Sequence, residues 1–206
     1  VTGSFSVWEV NLNGFSANTP TAVRKVASFP AAQILDRMTT LNASPKLVLI
    51  SDPIDGVVYS LNVNSGAAFV ALNLTDMKLV QGDIPFLGVN GMKVETDDTL
   101  FYTSSNQHLI IRLPIHADGT AAGAPATISK QTGSGDDFDL DPAGNAFMAS
   151  NAEALLFINA TSGAATLLAG GPNTTTLPGI TSGKFADCPP TRRFCTWGPR
   201  AALSAI

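Results

Sequence analysis

The sequence predicts an all-β fold, a partial β-propeller with about four blades' worth of chain. Three observations carry this prediction. One layout of short apolar runs recurs three times, anchored at Lys46, Thr99 and Asn145, so successive repeats begin 53 and 46 residues apart. Turn formers are dense, with 18 Gly and 13 Pro in 206 residues, as suits many short strands. Sustained 3.6-residue periodicity is nearly absent, which argues against a helical repeat.

The elements follow in chain order. Residues 5–10 and 22–29 read as the two outer strands of a blade whose beginning is absent. The first repeat reads as strands at 46–52, 57–61 and 69–72, with the turn Ser65-Gly66 before the last. The second repeat has strands at 99–103, 109–113 and 124–128 with Asp118-Gly119 between, and the third at 145–149, 155–158 and 166–168 with Ser162-Gly163. Blades bury both faces against neighbours, which accounts for continuous apolar runs in place of strict alternation. A further unit is due near residue 193, yet residues 186–200 hold Cys188, Cys195 and a cluster of Arg and Pro without a strand pattern. The chain is therefore divided into blades over 1–185 and an atypical tail over 186–206. A shifted reading frame or misplaced exon boundary is the expected origin of that tail, with an ordinary irregular tail as the alternative.

Sixteen acidic and twelve basic residues give a net charge of −4, so no nucleic-acid partner is expected. The longest aliphatic runs fall far short of the roughly 20 residues of a membrane helix, so no membrane partner is expected either. The chain starts at Val1 without a basic and apolar leader, as expected if a leader has been removed or if it is a piece of a longer chain. Sequons at Asn42, Asn73, Asn159 and Asn173 exceed the roughly two that chance would give and point to a secreted glycoprotein. One cysteine pair near the C-terminus implies neither a disulfide framework nor a zinc site.

No Gly-x-Ser-x-Gly elbow, phosphate-cradling loop or His-Glu-x-x-His helix occurs. His108 and His116 read as loop residues. Asp36, Asn90 and Asp136 stand ten, nine and nine residues before the three anchors, nearly one phase of the repeat. In a propeller, equivalent positions at the start of each innermost strand converge on the central channel. Two carboxylates and an amide can ligate a hard cation or hydrogen-bond a polar ligand. The plainer alternatives are a turn at Asn90-Gly91 and a solvated turn at Asp136-Asp137. Phe86, Met92 and Phe138 adjoin these positions as pocket walls or as core. Asp139-Leu-Asp141-Pro-Ala-Gly144 lacks the terminal Glu of a calcium loop and reads as a strand-connecting turn.

At Gly88-Val-Asn90-Gly91-Met-Lys followed by Leu100-Phe-Tyr-Thr103, and at Asp136-Asp-Phe138-x-x-Asp141-x-x-Gly144-Asn-Ala-Phe147, the chain resembles the senescence-marker-protein/gluconolactonase family of six-bladed β-propellers. It is more closely similar to a fungal secreted branch, through Asp-Asp-Phe, Pro114-Ile-His-Ala-Asp-Gly119 and Gly179-Ile-Thr181-Ser182. The resemblance runs from about residue 7 to Phe185 and implies a ring of about 300 residues or more, of which this chain is a part. It also implies a divalent cation (calcium, zinc or manganese) in the lactonase members, held by a Glu, an Asn and an Asp. By motif position Asn90 and Asp136 match the Asn and Asp ligands, and Asp136 matches the general base. Asp36 falls where a substrate-contacting Asn followed by Gly is expected, but the pair here is Asp36-Arg37. The ligand Glu belongs to a first blade that this chain does not contain.

Some fungal members catalyse metal-independent cyclisations, notably the hetero-Diels–Alder joining of a tropolone-type quinone methide to a terpene in secondary metabolism. The leading expectation is therefore a small-molecule enzyme of this kind without a cofactor. Asp136 and Asp36 are the expected catalytic residues, with Asn90, Phe138, Met92 and Thr181 binding substrate. A lactone hydrolase with a divalent cation on Asn90 and Asp136 is the first alternative. A non-catalytic secreted binding propeller, or an inactive truncated product, is the second. The unpaired blade edges of an open ring predict a homodimer.

Overall fold

Sixteen strands and one 3-10 turn, Thr75–Met77, make up the regular structure among the described residues. The computed structural model describes residues 4–16, 18, 21–80, 82, 87–130, 132–172, 174–186 and 193–197, with backbone alone for 186 and 193–197. Phe86, Asn173 and Cys188 lie outside these residues, as does the side chain of Cys195.

Three complete four-stranded antiparallel sheets follow one another along the chain. Blade one holds β3 (Met38–Thr40), β4 (Leu47–Asp52), β5 (Val57–Asn62) and β6 (Ala68–Leu72). Blade two holds β7 (Val89–Val94), β8 (Thr99–Ser104), β9 (Leu109–Pro114) and β10 (Ala126–Ser129). Blade three holds β11 (Gly135–Leu140), β12 (Ala146–Ser150), β13 (Ala154–Ile158) and β14 (Ala165–Gly170). Each strand pairs with its sequence neighbour, the meander of a β-propeller blade. Two-stranded sheets flank them: β1 (Phe5–Asn11) with β2 (Ala22–Phe29), and β15 (Ser182–Ala186) with β16 (Arg193–Trp197).

Two expectations need correction. Each repeat contains an additional strand before the apolar one, namely β3, β7 or β11, and this strand lies innermost. It escaped notice because it is short or polar. The region expected to lack a strand pattern carries β16, antiparallel to β15 with Ser182 opposite Trp197.

The cores lie between blades. Leu49 and Val58 join Leu100, Tyr102, Ile111 and Leu113 between blades one and two. Their neighbours Val48, Ile50 and Leu61 face the other way, onto Phe29, Phe5 and Val7 of the first half sheet. Ile110 meets Phe138, Met148 and Ile158 between blades two and three. Successive residues of one strand thus serve two different cores, the cause of the uninterrupted apolar runs. The innermost strands lie side by side: β7 packs against β3 and β11, and β11 against β15. Asp139 ties three of them together, accepting from Lys93 Nζ of β7 and from the Phe185 N–H of β15 at 2.9 Å. Burial pulls the Lys93 pKa down, but its bond to Asp139 and the charge of Glu95 outweigh that and raise it.

Candidate functional site

The leading ends of the innermost strands share a backbone irregularity. On β7, Val89 pairs with Ser104 and Met92 with Tyr102, so Asn90 and Gly91 together oppose Thr103. On β11, Gly135 pairs with Ser150 and Phe138 with Met148, so Asp136 and Asp137 together oppose Ala149. Just before β3, Asp36 N–H donates to Ser51 O at 3.0 Å and Ser51 N–H to Arg37 O at 2.9 Å, so two residues again oppose one. These are β-bulges, which bend a strand and re-aim its side chains, often beside active sites. The alternatives of plain or solvated turns at Asn90-Gly91 and Asp136-Asp137 are thereby replaced by bulged strand.

Hydroxyl groups lock one bulge to the next. Arg37 N–H donates to Ser51 Oγ at 3.0 Å, and that hydroxyl donates to Asn90 O of the following blade at 3.3 Å. Gly91 N–H donates to Thr103 Oγ1 at 2.9 Å, which donates to Asp136 O at 2.9 Å. Blade three has Ala149 in place of the hydroxyl, and there Asp137 N–H reaches Thr181 O directly at 3.1 Å. The series Asp36, Asn90, Asp136, Thr181 therefore occupies one position in four consecutive blades. Ser51 and Thr103, both fully buried, were missed in the sequence, although a Ser, Thr or Ala closing each repeat's first apolar strand was visible there.

Around this series the charges gather. The Arg37 guanidinium lies 3.5 Å from Asp136 Oδ1 and 3.7 Å from Asp137 Oδ2. Ser182 Oγ donates to the same Asp137 oxygen at 3.0 Å. The loop that presents Asp36 and Arg37 is pinned by the fully buried Asp52, whose carboxylate accepts from Gln33 N–H at 2.8 Å and Ile34 N–H at 3.3 Å. Burial pushes the Asp136 carboxyl up to about 6, with Arg37 pulling it down and Asp36 and Asp137 pushing it further up. Asp36 is raised too, by lost solvation in part offset by Arg37, with Asp137 adding to the rise. Asn90 is 1% exposed; its Nδ2 donates to Ser105 Oγ at 3.1 Å, while its Oδ1 has no hydrogen-bond partner.

Asp36 and Arg37 open onto a cavity of 240 Å³ whose other walls are Ser6, Val7, Trp8, Leu35, Met38 and Ile50. Trp8 and Val7 were not foreseen as pocket residues. Met92 and Phe138, expected to bind substrate, are packed in the inter-blade cores and line neither this cavity nor a larger one of 440 Å³. The larger cavity lies toward the far ends of the innermost strands, between Lys93, Glu95, Asp139, Asp141, Lys184 and Phe185. Thr181 is half-buried and takes part through its carbonyl. Of the sequons, Asn42 and Asn73 are exposed, while Asn159 is half-buried with its Oδ1 held by Thr161 and Ser162 N–H.

With Arg37 against Asp136, the residues present do not fit a resident divalent cation. Arg37 faces Asp136 and Asp137, and a divalent cation held by these carboxylates would have to displace it. No three His, Cys, Asp or Glu side chains come together in a metal-holding group among the described residues.

No protein-family model and no curated protein matches the chain. Solved structures do match. The nidogen/laminin complex superposes with a TM-score of 0.65 at 16% identity, over 96% of this chain and 67% of the other. Virginiamycin B lyase from Staphylococcus aureus gives 0.52 at 13% identity, over 90% and 59%. A gluconolactonase from Xanthomonas campestris gives 0.54 at 16% identity, over 78% and 52%. The chain thus spans from about half to two thirds of these β-propeller proteins, and what it shares with them is the fold.

Proposed function

We propose that the chain acts on a small molecule at the bulged ends of its innermost strands through metal-independent chemistry, best suited to a cyclisation of the hetero-Diels–Alder type. The observation that supports this reading is the Arg37 guanidinium set between Asp136 and Asp137. A carboxyl titrating near 6 holds both protonation states close to neutral pH. In its acid form Asp136 donates a hydrogen bond to a carbonyl or quinone-methide oxygen. Arg37 stabilises the negative charge that develops on that oxygen. An electron-poor heterodiene so polarised adds to an alkene: two σ bonds form as the three π bonds of the partners are reduced to one, with no oxidant, proton or leaving group consumed. Trp8, Val7 and Leu35 offer the apolar wall such an alkene needs.

Metal-dependent lactone hydrolysis is the second reading, favoured by the unpartnered Asn90 Oδ1 and by the shared fold with a gluconolactonase. It requires Arg37 to leave Asp136. The two readings part on one experiment. Product formation from a quinone methide and an alkene, measured with and without chelator, should be chelator-insensitive and fall about 100-fold in Arg37→Gln. Tight calcium, zinc or manganese binding that Asp136→Ala abolishes, together with hydrolysis of aldonolactones, would establish the second reading instead. Turnover of neither substrate class would leave a non-catalytic binding propeller.

A further inference from the structure

The sequence holds two Asn-Gly pairs, Asn13-Gly14 and Asn90-Gly91, and the fold gives them opposite surroundings. Asn90 and Gly91 are both buried in the bulge of β7. There Asn90 Nδ2 donates to Ser105 Oγ at 3.1 Å, and Gly91 N–H donates to Thr103 Oγ1 at 2.9 Å. Asn13 and Gly14 are both exposed, just past the end of β1, in a tight turn closed by Phe15 N–H donating to Leu12 O at 3.1 Å. Gly14 has a positive φ of 72°, and apart from its chain neighbours no atom lies within 4 Å of the place a Cβ would take.

That exposure belongs to the turn itself. Asn62 and Asn159 close the third strands of blades one and three, and each Oδ1 accepts from the N–H two residues on, Asn64 at 3.0 Å and Thr161 at 3.0 Å. Asn11 Oδ1 accepts from Asn13 N–H in the same way at 2.9 Å. Asn13 and Gly14 therefore correspond to Asn64 and Ser65, and to Thr161 and Ser162. All four of those residues are exposed although blades one and three are packed against other sheets on both faces. One contact differs. Ser65 N–H and Ser162 N–H are held by the capping Asn at 3.1 and 2.8 Å, whereas among the described residues Gly14 N–H has no hydrogen-bond partner.

We propose that Asn13-Gly14 is a site of spontaneous deamidation, and that the fold protects the identical pair Asn90-Gly91. The Gly14 nitrogen loses its proton to hydroxide and attacks Asn13 Cγ. A C–N bond forms, the bond from Cγ to Nδ2 breaks, and ammonia leaves a five-membered succinimide. Water then opens the ring at either carbonyl, giving aspartate or isoaspartate; in sum an amide and water become a carboxylic acid and ammonia, with no oxidant or reductant. Glycine hinders this closure least, because it has no Cβ and the widest choice of backbone angles. At Asn13 the nitrogen is free and the side chain can swing onto it. At Asn90 the amide is held by Ser105, the Gly91 N–H is held by Thr103, and the backbone of the next blade stands 2.7 Å from where a Gly91 Cβ would be. Either product adds one negative charge to the turn, and isoaspartate also lengthens its backbone by one atom.

Ageing of the full chain at mildly alkaline pH, followed by tryptic mapping, tests this, because the peptides 1–24 and 79–93 separate the two pairs. The first should gain about one dalton, placed at Asn13 by fragmentation, at least tenfold faster than the second gains it at Asn90. The aged chain should accept methyl groups from S-adenosylmethionine through an isoaspartyl methyltransferase, and Asn13→Gln should lose most of that label. In denaturant the two pairs should convert at similar rates, since the fold alone separates them. An Asn13 that stays intact while the denatured chain converts, equal rates at the two pairs in the native chain, rates that stay apart in denaturant, or label undiminished in Asn13→Gln would each overturn the proposal.

Discussion

Asp136→Asn is expected to raise the melting temperature at pH 8 and to free any turnover from its dependence on a group titrating near 6, since the amide still donates the hydrogen bond that the acid form gives, whereas Asp136→Ala should remove about 99% of it. The two effects share one cause. The Asp136 carboxyl is held in a poorly solvated position beside two other carboxylates, and only Arg37 favours its charged form. A carboxyl whose folded pKa, about 6, exceeds its ordinary value of 3.8 binds its proton more tightly in the folded chain. The stabilisation from that proton is complete below about pH 4 and is lost as the pH rises through about 6. Asn mimics the protonated form at every pH. The variant's advantage should therefore be absent below about pH 4, grow between about 4 and 6, and level off above about 7 at roughly 1–3 kcal/mol. Thermal unfolding of both proteins across that range measures it. A variant less stable than wild type at pH 8 would mean that the pair with Arg37 outweighs burial. Functional groups that lower stability are a common compromise at sites built for activity.

Gly91→Ala should be strongly destabilising. Gly91 does not need a left-handed backbone; it needs the absence of a Cβ. A methyl there would stand 2.7 Å from Asp136 O and 2.9 Å from Asp137 Cα, both backbone atoms of the next blade. Neither can rotate away, so β7 and β11 must separate. The Thr103 hydroxyl then no longer spans Gly91 N–H and Asp136 O, and two buried polar groups lose their partner. The expected loss is about 2–3 kcal/mol, or roughly 5–10 °C in melting temperature for a chain of this size. Gly123→Ala is the control. Its methyl would meet only side-chain atoms of Pro114, the nearest at 3.4 Å, and should shift the midpoint by under about 2 °C. Equal shifts for the two would contradict the close approach of blades two and three.

The repeat and its phase were legible because two inter-blade cores impose apolar residues on most positions of the second and third strands. Lys46, Thr99 and Asn145 could be aligned without knowing any contact. The phase of Asp36, Asn90 and Asp136 followed from that alignment, and bulges at all three positions account for it. The innermost strands themselves were not legible. Asn90-Gly91 and Asp136-Asp137 are turn formers by composition, and a bulge breaks the period of two that marks a strand. β3 has only three residues, Met38 to Thr40. Arg37 stood out in the sequence only as a departure from a family pattern, because its partners are about a hundred residues away and one blade beyond its neighbour. Met92 and Phe138 adjoin the site in sequence yet point into cores, since the residue after a bulge returns to the packed face. Trp8 carried no signal, because its role as a wall depends on how the first half sheet seats against blade one.

The central claim is that Arg37, from the loop before blade one, reaches the carboxylates of blade three. Carboxyl-carbon NMR titration of Asp136 in the wild type and in Arg37→Gln tests it most directly. The account predicts a midpoint near 6 in the wild type and a higher one in the variant, since the one group favouring the charged form is gone. A midpoint near 3.8, the ordinary value, unmoved by the substitution would contradict it.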